Sequence, residues 1–144
     1  MILADEQATA AVGAALASAL RPGDVVALSG PLGAGKTQLV RGVLAALGHP
    51  GEVPSPTFAI VQPYEDLSPR VWHVDLYRIE DLGELDELGL DSVGDAVLLV
   101  EWPERAGEES WPGALRLRLD FAEDGARRLT EDVPPAWQGR WPPQ

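Results

Sequence analysis

Eight consecutive residues, Gly30-Pro31-Leu32-Gly33-Ala34-Gly35-Lys36-Thr37, fit the phosphate-binding pattern G-x-x-x-x-G-K-S/T. Lys36 is the only lysine among the 11 basic residues; every other one is an arginine. The chemistry of the pattern accounts for that choice. Glycines let the backbone turn its N–H groups inward around a β-phosphate, and a helix starting near Lys36 would aim its positive end at the same point. A compact ammonium fits between β- and γ-phosphates as a point charge, which a planar guanidinium fork does not. Thr37 adds a hydroxyl for Mg²⁺. The alternative, a glycine-rich turn with an ordinary surface lysine, leaves the solitary lysine unexplained. Residues Pro31, Leu32, Gly33, Ala34, Gly35, Lys36, Thr37 and Gln38 are therefore expected to wrap ATP with Mg²⁺. Lys36 is expected to gain its partner only from the nucleotide.

Such a site also needs a carboxylate to hold the metal's water shell or to orient an attacking water. In open α/β sheets these groups stand at the carboxyl ends of strands beside the phosphate loop. Asp75, after "VWHV", and Glu101, after "AVLLV", are the two candidates. With 23 acids in the chain, either could be a plain surface residue. Glu101 follows the purer apolar run and is the better metal-side carboxylate. Trp102 beside it reads either as a stacking group or as a packed indole. His73, taken alone, reads as structural.

The elements that must position these groups alternate along the chain. Ala8–Leu20 predicts an amphipathic helix, and the basic n-region of a signal peptide does not precede it. "VVALS" (25–29) has the composition of a strand covered on both faces. Lys36–Leu47 carries Leu39, Val40, Val43, Leu44 and Leu47 at helical spacing, and Gly48 and Pro50 stop it. "GEVPSPTF" (51–58) is a loop. "FAIVQPY" (58–64) and "VWHVD" (71–75) are strands, with Pro63 placing the first at an edge. "DLGELDELGL" (81–90) is a short acidic helix, "AVLLV" (96–100) a second fully apolar strand, and "ALRLRLDF" (114–121) a half-exposed strand. The sum is a three-layer α/β domain over residues 1–130, with "VVALS" and "AVLLV" central in the sheet. Residues 131–144, "EDVPPAWQGRWPPQ", form a proline-rich tail expected to lack regular structure.

At 144 residues and 45% apolar content the chain can bury one core. It has no cysteine, hence neither a disulfide framework nor a thiolate metal site. No stretch approaches the roughly 20 apolar residues of a membrane span, and a cytoplasmic monomer is expected. A net charge of −12 argues against binding nucleic acid directly and favours a protein partner with a basic face.

"SGPLGAGKT" (29–37), "PSPTF" (54–58), "HVDLYRI" (73–79) and "EWPER" (101–105) together resemble, in order and spacing, the TsaE (YjeE) family of bacterial P-loop ATPases. "ELDELGLD" (84–91) is similar to that family's acidic helix. The resemblance spans roughly residues 5 to 130. The phosphate loop is widespread, whereas its combination with H-x-D-L-Y-R and E-W-P-E is specific. It implies a P-loop fold with a mainly parallel sheet and added antiparallel strands. It also implies a role in making N6-threonylcarbamoyladenosine at position 37 of tRNAs reading ANN codons, beside TsaD and TsaB, with tRNA met only through that complex. Carried over by position, the resemblance makes Ser55-Pro56-Thr57-Phe58 a switch-like loop, with Thr57 a metal or phosphate ligand. It makes Asp75 and Glu101 functional carboxylates and puts Trp102 beside the nucleotide. Thr9 matches a threonine of the family's first helix near the base. Pro31 replaces a usual acidic residue, and Gln38 a usual Thr or Ser; neither change removes a phosphate ligand.

Two other classes fit the loop itself. A small-molecule kinase would need an acceptor pocket and an arginine-bearing lid, yet residues 80–91 carry six acids and no base. A non-catalytic adaptor would bind nucleotide and only change shape.

Overall fold

The computed structural model describes residues 1–50, 61–90, 93–107 and 110–142. The strands are β1 (Ile2–Leu3), β2 (Val25–Ser29), β3 (Val61–Tyr64), β4 (Val71–Asp75), β5 (Val97–Glu101), β6 (Leu115–Phe121) and β7 (Arg127–Asp132). The α-helices are α1 (Glu6–Ala19), α2 (Lys36–Ala46) and α3 (Leu82–Glu87). All seven strands form one sheet in the order β1-β7-β6-β2-β5-β4-β3. The inner strands β6, β2, β5 and β4 run parallel, while β7, β1 and β3 are added antiparallel at the two sides. The expected three-layer α/β fold with "VVALS" and "AVLLV" side by side at its centre is therefore present.

Side-chain parity decides what each face packs against. Val26 and Leu28, Val97 and Leu99, and the three leucines of β6 turn toward α1 and α2 and form the larger core. Val74, Leu98 and Val100 turn the other way, under a thinner layer that includes Leu85 of α3, Leu88 just after it and Ala106 of the 3₁₀ turn Pro103–Ala106. The half-exposed pattern expected for β6 appears because only that thin layer covers its arginine-bearing face, and Arg118 is exposed. Pro63 lies on the edge strand, where its missing N–H costs no ladder bond.

Helix α1 starts at Glu6, two residues ahead of the apolar pattern, because the Asp5 carboxylate accepts from the Ala8 N–H at 2.8 Å. Two glycines bring α1 against α2. A Cβ on Gly13 would lie 2.2 Å from Leu39 O, and one on Gly42 would lie 2.1 Å from Ala10 O. Any larger residue would push apart the two helices that hold the phosphate loop.

Strand β7 continues through Asp132, past the point where the composition shifts. Beyond it lie a 3₁₀ turn (Pro135–Trp137) and two buried tryptophans, Trp137 and Trp141, that belong to the larger core. Arg140 lies over the Trp137 ring at 4.2 Å and pairs with Asp24, while its guanidinium donates to Ala19 O at 2.8 Å. The segment is thus poor in regular structure yet fastened to the junction of α1 and β2. No helix among the described residues is long and apolar enough to cross a membrane.

Candidate functional site

The strand β2 ends at Ser29, the chain makes a loop over residues 30–35, and α2 begins at Lys36. The loop needs its glycines. Gly30, Gly33 and Gly35 have φ values of 131°, 81° and 108°, the left-handed region. At Gly30 a Cβ would also lie 2.0 Å from Leu119 O, so β6 leaves no room for a side chain. The first helical bond at this end is Leu39 N–H to Gly35 O, 3.0 Å. The N–H groups of Lys36, Thr37 and Gln38 precede that bond and face the loop's mouth, where an anion is favoured.

Lys36 is 4% exposed. Its ammonium donates to Gly30 O and, at 3.1 Å, to Pro31 O, and it lies 4.1 Å from the centre of the Trp102 ring. The expectation that this lysine has no protein partner is therefore corrected. A buried ammonium needs acceptors, and the loop's own carbonyls supply them. Burial pushes its pKa down, against the upward pull of Glu101, Glu104 and Asp75.

Opposite the loop, the parallel pairing of β4 with β5 sets Asp75 directly beside Glu101. Glu101 is 3% exposed and accepts from the Thr37 hydroxyl at 3.1 and 3.3 Å. His73 Nε2, fully buried, stands 2.6 Å from Oε2 of the same carboxylate, the oxygen that also takes the shorter Thr37 contact. His73 Nδ1 is buried without a partner among the described residues. A bare acceptor nitrogen is better tolerated there than a bare N–H, so Nε2 is the protonated, donating nitrogen. The histidine that sequence alone reads as structural is thus bonded to the central carboxylate. The signal was its spacing: two residues before Asp75, it shares that residue's face of the strand.

Asp75 accepts from the Tyr77 N–H at 2.8 Å. Burial pushes its pKa up, and the neighbouring Glu101 adds to the rise. Trp102 takes a left-handed conformation, φ 59°, which for a non-glycine residue costs on the order of 1–3 kcal/mol. That turn aims its indole at Lys36 and sets it 4.9 Å from the Tyr77 ring.

Lys36, Thr37, Asp75, Tyr77, Glu101 and Trp102 line a cavity of about 510 Å³, which Leu32, Gly33, Gly35 and Gln38 also border, while His73 stands behind Glu101. Pro31 and Ala34 contribute backbone instead, Pro31 O accepting from the Ala34 N–H at 3.1 Å. Thr9 is buried behind the loop, its methyl 3.6 Å from where a Cβ on Gly35 would stand, and Glu6 is the α1 residue that reaches the cavity. Thr57 and its loop lie outside the described residues. The donors fit a magnesium nucleotide: a glycine-lined turn, three helix-end N–H groups, an ammonium, and a hydroxyl–carboxylate pair. Mg²⁺ is typically held by one or two carboxylates with phosphate oxygens and waters completing its shell.

Asp75→Asn tests the second carboxylate. The amide still accepts from Tyr77 but removes a charge that burial disfavours, so thermal stability is expected to hold or rise slightly. Turnover should fall about tenfold, below the usual range for loss of a primary acid–base group. Steady-state kinetics with a melting curve check both.

Sequence and structure comparisons converge on one family. The sequence model of "Threonylcarbamoyl adenosine biosynthesis protein TsaE" matches residues 3–129. A Streptomyces coelicolor protein named tRNA threonylcarbamoyladenosine biosynthesis protein TsaE is 49% identical over 115 residues, 77% of this chain and 78% of its own. A Bacillus subtilis protein of the same name is 40% identical, covering 85% of this chain and 77% of its own. The crystal structure of Bacillus subtilis YdiB superposes with a TM-score of 0.70 at 32% identity, over 91% of this chain and 82% of that one.

Proposed function

The chain belongs to the TsaE family, and from that premise we propose that it is the ATP-binding, slowly hydrolysing subunit needed for threonylcarbamoyl modification of tRNA adenosine. The observation that carries the nucleotide chemistry is the bonded series Thr37–Glu101–His73 at the mouth of the glycine loop. In this reading the N–H groups at the start of α2 and Lys36 hold the phosphates, leaving their resting partners Gly30 O and Pro31 O. Thr37 and Glu101 would hold Mg²⁺, which would neutralise charge developing on the transferred phosphoryl group. Glu101, kept in place by His73, orients the attacking water; Asp75 supports it across the β4–β5 pair.

The partners are TsaD and TsaB. Glu80, Asp81, Glu84, Asp86 and Glu87 are all exposed on and before α3, a surface suited to a basic protein face. The same charge works against a kinase lid at this place. With net charge −12 the subunit should show no measurable tRNA affinity by itself. A filter-binding titration against tRNA, with and without TsaB–TsaD, checks this, and tight binding by the isolated chain would count against the proposal. If the acidic segment helps docking, stimulation by the pair should weaken as salt rises from 0.05 to 0.3 M, roughly the range over which the Debye length shrinks toward contact distances. A reconstituted modification reaction that forms threonylcarbamoyl-tRNA equally well without this chain would refute the role itself.

A further inference from the structure

Arg127, the first residue of β7, reaches across 93 residues of sequence to the phosphate loop. Its Nε donates to Ala34 O at 3.1 Å and one terminal nitrogen to Gly33 O at 3.4 Å. The other terminal nitrogen donates to Gly125 O at 2.9 Å and Ala126 O at 3.2 Å, and the guanidinium lies over the Phe121 ring at 4.8 Å. The fork is therefore held by two carbonyls of the β6–β7 turn and by an aromatic face at the end of β6, and presents its remaining donors to the loop.

In a trans peptide the N–H points opposite the carbonyl. Holding Ala34 O toward β7 turns the Gly35 N–H away from β7, toward the cavity that Gly33 and Gly35 border and to which, among the described residues, β7 contributes nothing. We propose that Arg127 is a positioning residue for nucleotide phosphates: it sets the orientation of the Gly33–Gly35 peptides and so prepares the loop's N–H groups before nucleotide arrives. This inference rests on the nucleotide reading of the loop. A lysine would keep the charge but lose the fork, since a single ammonium cannot reproduce a planar pair of parallel donors.

The test compares Arg127→Gln, Arg127→Lys and Arg128→Gln, the last removing an equal charge from the neighbouring exposed position. Calorimetric titration with Mg-ATP and Mg-ADP is expected to show Arg127→Gln weakened about 10–100-fold for both nucleotides, the usual cost of losing a group that orients ligands. Arg127→Lys should recover only part of this, and Arg128→Gln should bind as wild type. Amide hydrogen exchange over residues 33–36 of the nucleotide-free protein is expected to speed up in both Arg127 variants while the melting temperature moves by only a few degrees. Arg127→Lys carries the test if the glutamine variant does not fold. Wild-type affinity in Arg127→Gln, full recovery by lysine, an equal loss in Arg128→Gln, or unchanged exchange would each overturn the proposal. A wild-type protein that fails to bind ATP, with exchange still faster in the Arg127 variants, would instead sink the nucleotide reading and leave the positioning of the loop intact.

Discussion

Lys36→Ala is expected to lose ATP binding by at least about 100-fold, and with it all measurable turnover. Two charge-assisted bonds from an ammonium to phosphate oxygens, each contributing at least about 1.5 kcal/mol, give on the order of 3 kcal/mol, which is about 100-fold in affinity. The fold should survive. The buried ammonium is held against an unfavourable desolvation, visible in its lowered pKa, so the alanine variant gives up little net stability. Lys36→Arg should be nearly as poor. The ammonium meets Gly30 O, Pro31 O and the Trp102 ring, and a guanidinium would present a planar fork where a point charge is wanted. Calorimetric titration with ATP and a melting curve for each variant decide the matter. An arginine variant that binds and hydrolyses ATP normally would remove the explanation for the solitary lysine.

Glu101→Gln should separate binding from turnover. The amide fills the same volume between Thr37 and His73, so affinity for ATP is expected to stay within about threefold. The negative charge that draws Mg²⁺ and orients water is gone, and turnover should fall about 10²-fold or more, the range for loss of a positioned acid–base group. A structural cost follows as well. His73 Nε2 and the Thr37 hydroxyl both reach Oε2, so an amide whose oxygen takes that place keeps both contacts and turns its NH₂ to the Thr37 oxygen, but it removes the charge that strengthens them. Exchanging charge-assisted bonds for neutral ones is expected to cost about 1 kcal/mol and to lower the melting temperature by a few degrees. Normal turnover in both Glu101→Gln and Asp75→Asn would place the chemistry elsewhere.

How much of this could be read from the residues varies with the kind of signal. β2 and β5 are legible because buried parallel strands are continuous apolar runs, and α2 because its leucines and valines repeat at helical spacing. The glycine loop is legible because its backbone conformation restricts residue type. The edges are not. β1 has two residues, and β7, "RRLTED", buries only Leu129, so neither shows a hydrophobic pattern and both are defined by pairing. The last segment misleads for a related reason. Its prolines forbid a ladder, yet Trp137 and Trp141 are buried in the larger core. In the site, the positions of Asp75 and Glu101 could be inferred from strand ends, but not their register. Only the β4–β5 pairing brings His73 and Asp75 to Glu101. The hold of Arg127 on the loop lies across 93 residues and carries no local mark at all.

Trp102, Tyr77 and Arg105 extend from the lysine toward solvent, with Arg105 5.9 Å from the Tyr77 ring. The side chains bordering the cavity include Arg41 and Arg78, but the phosphate loop itself contains no arginine. A site so arranged should hydrolyse ATP slowly by itself, and positive charge delivered by a partner raises such rates by about 10³–10⁵ in related phosphoryl-transfer systems. ATP hydrolysis by the purified chain, measured alone and with the TsaB–TsaD pair, is therefore the most direct measurement. Slow turnover alone, raised strongly by the pair and abolished in Lys36→Ala, is the expected result. A rate indifferent to the pair, or no ATP turnover under either condition, would contradict the account.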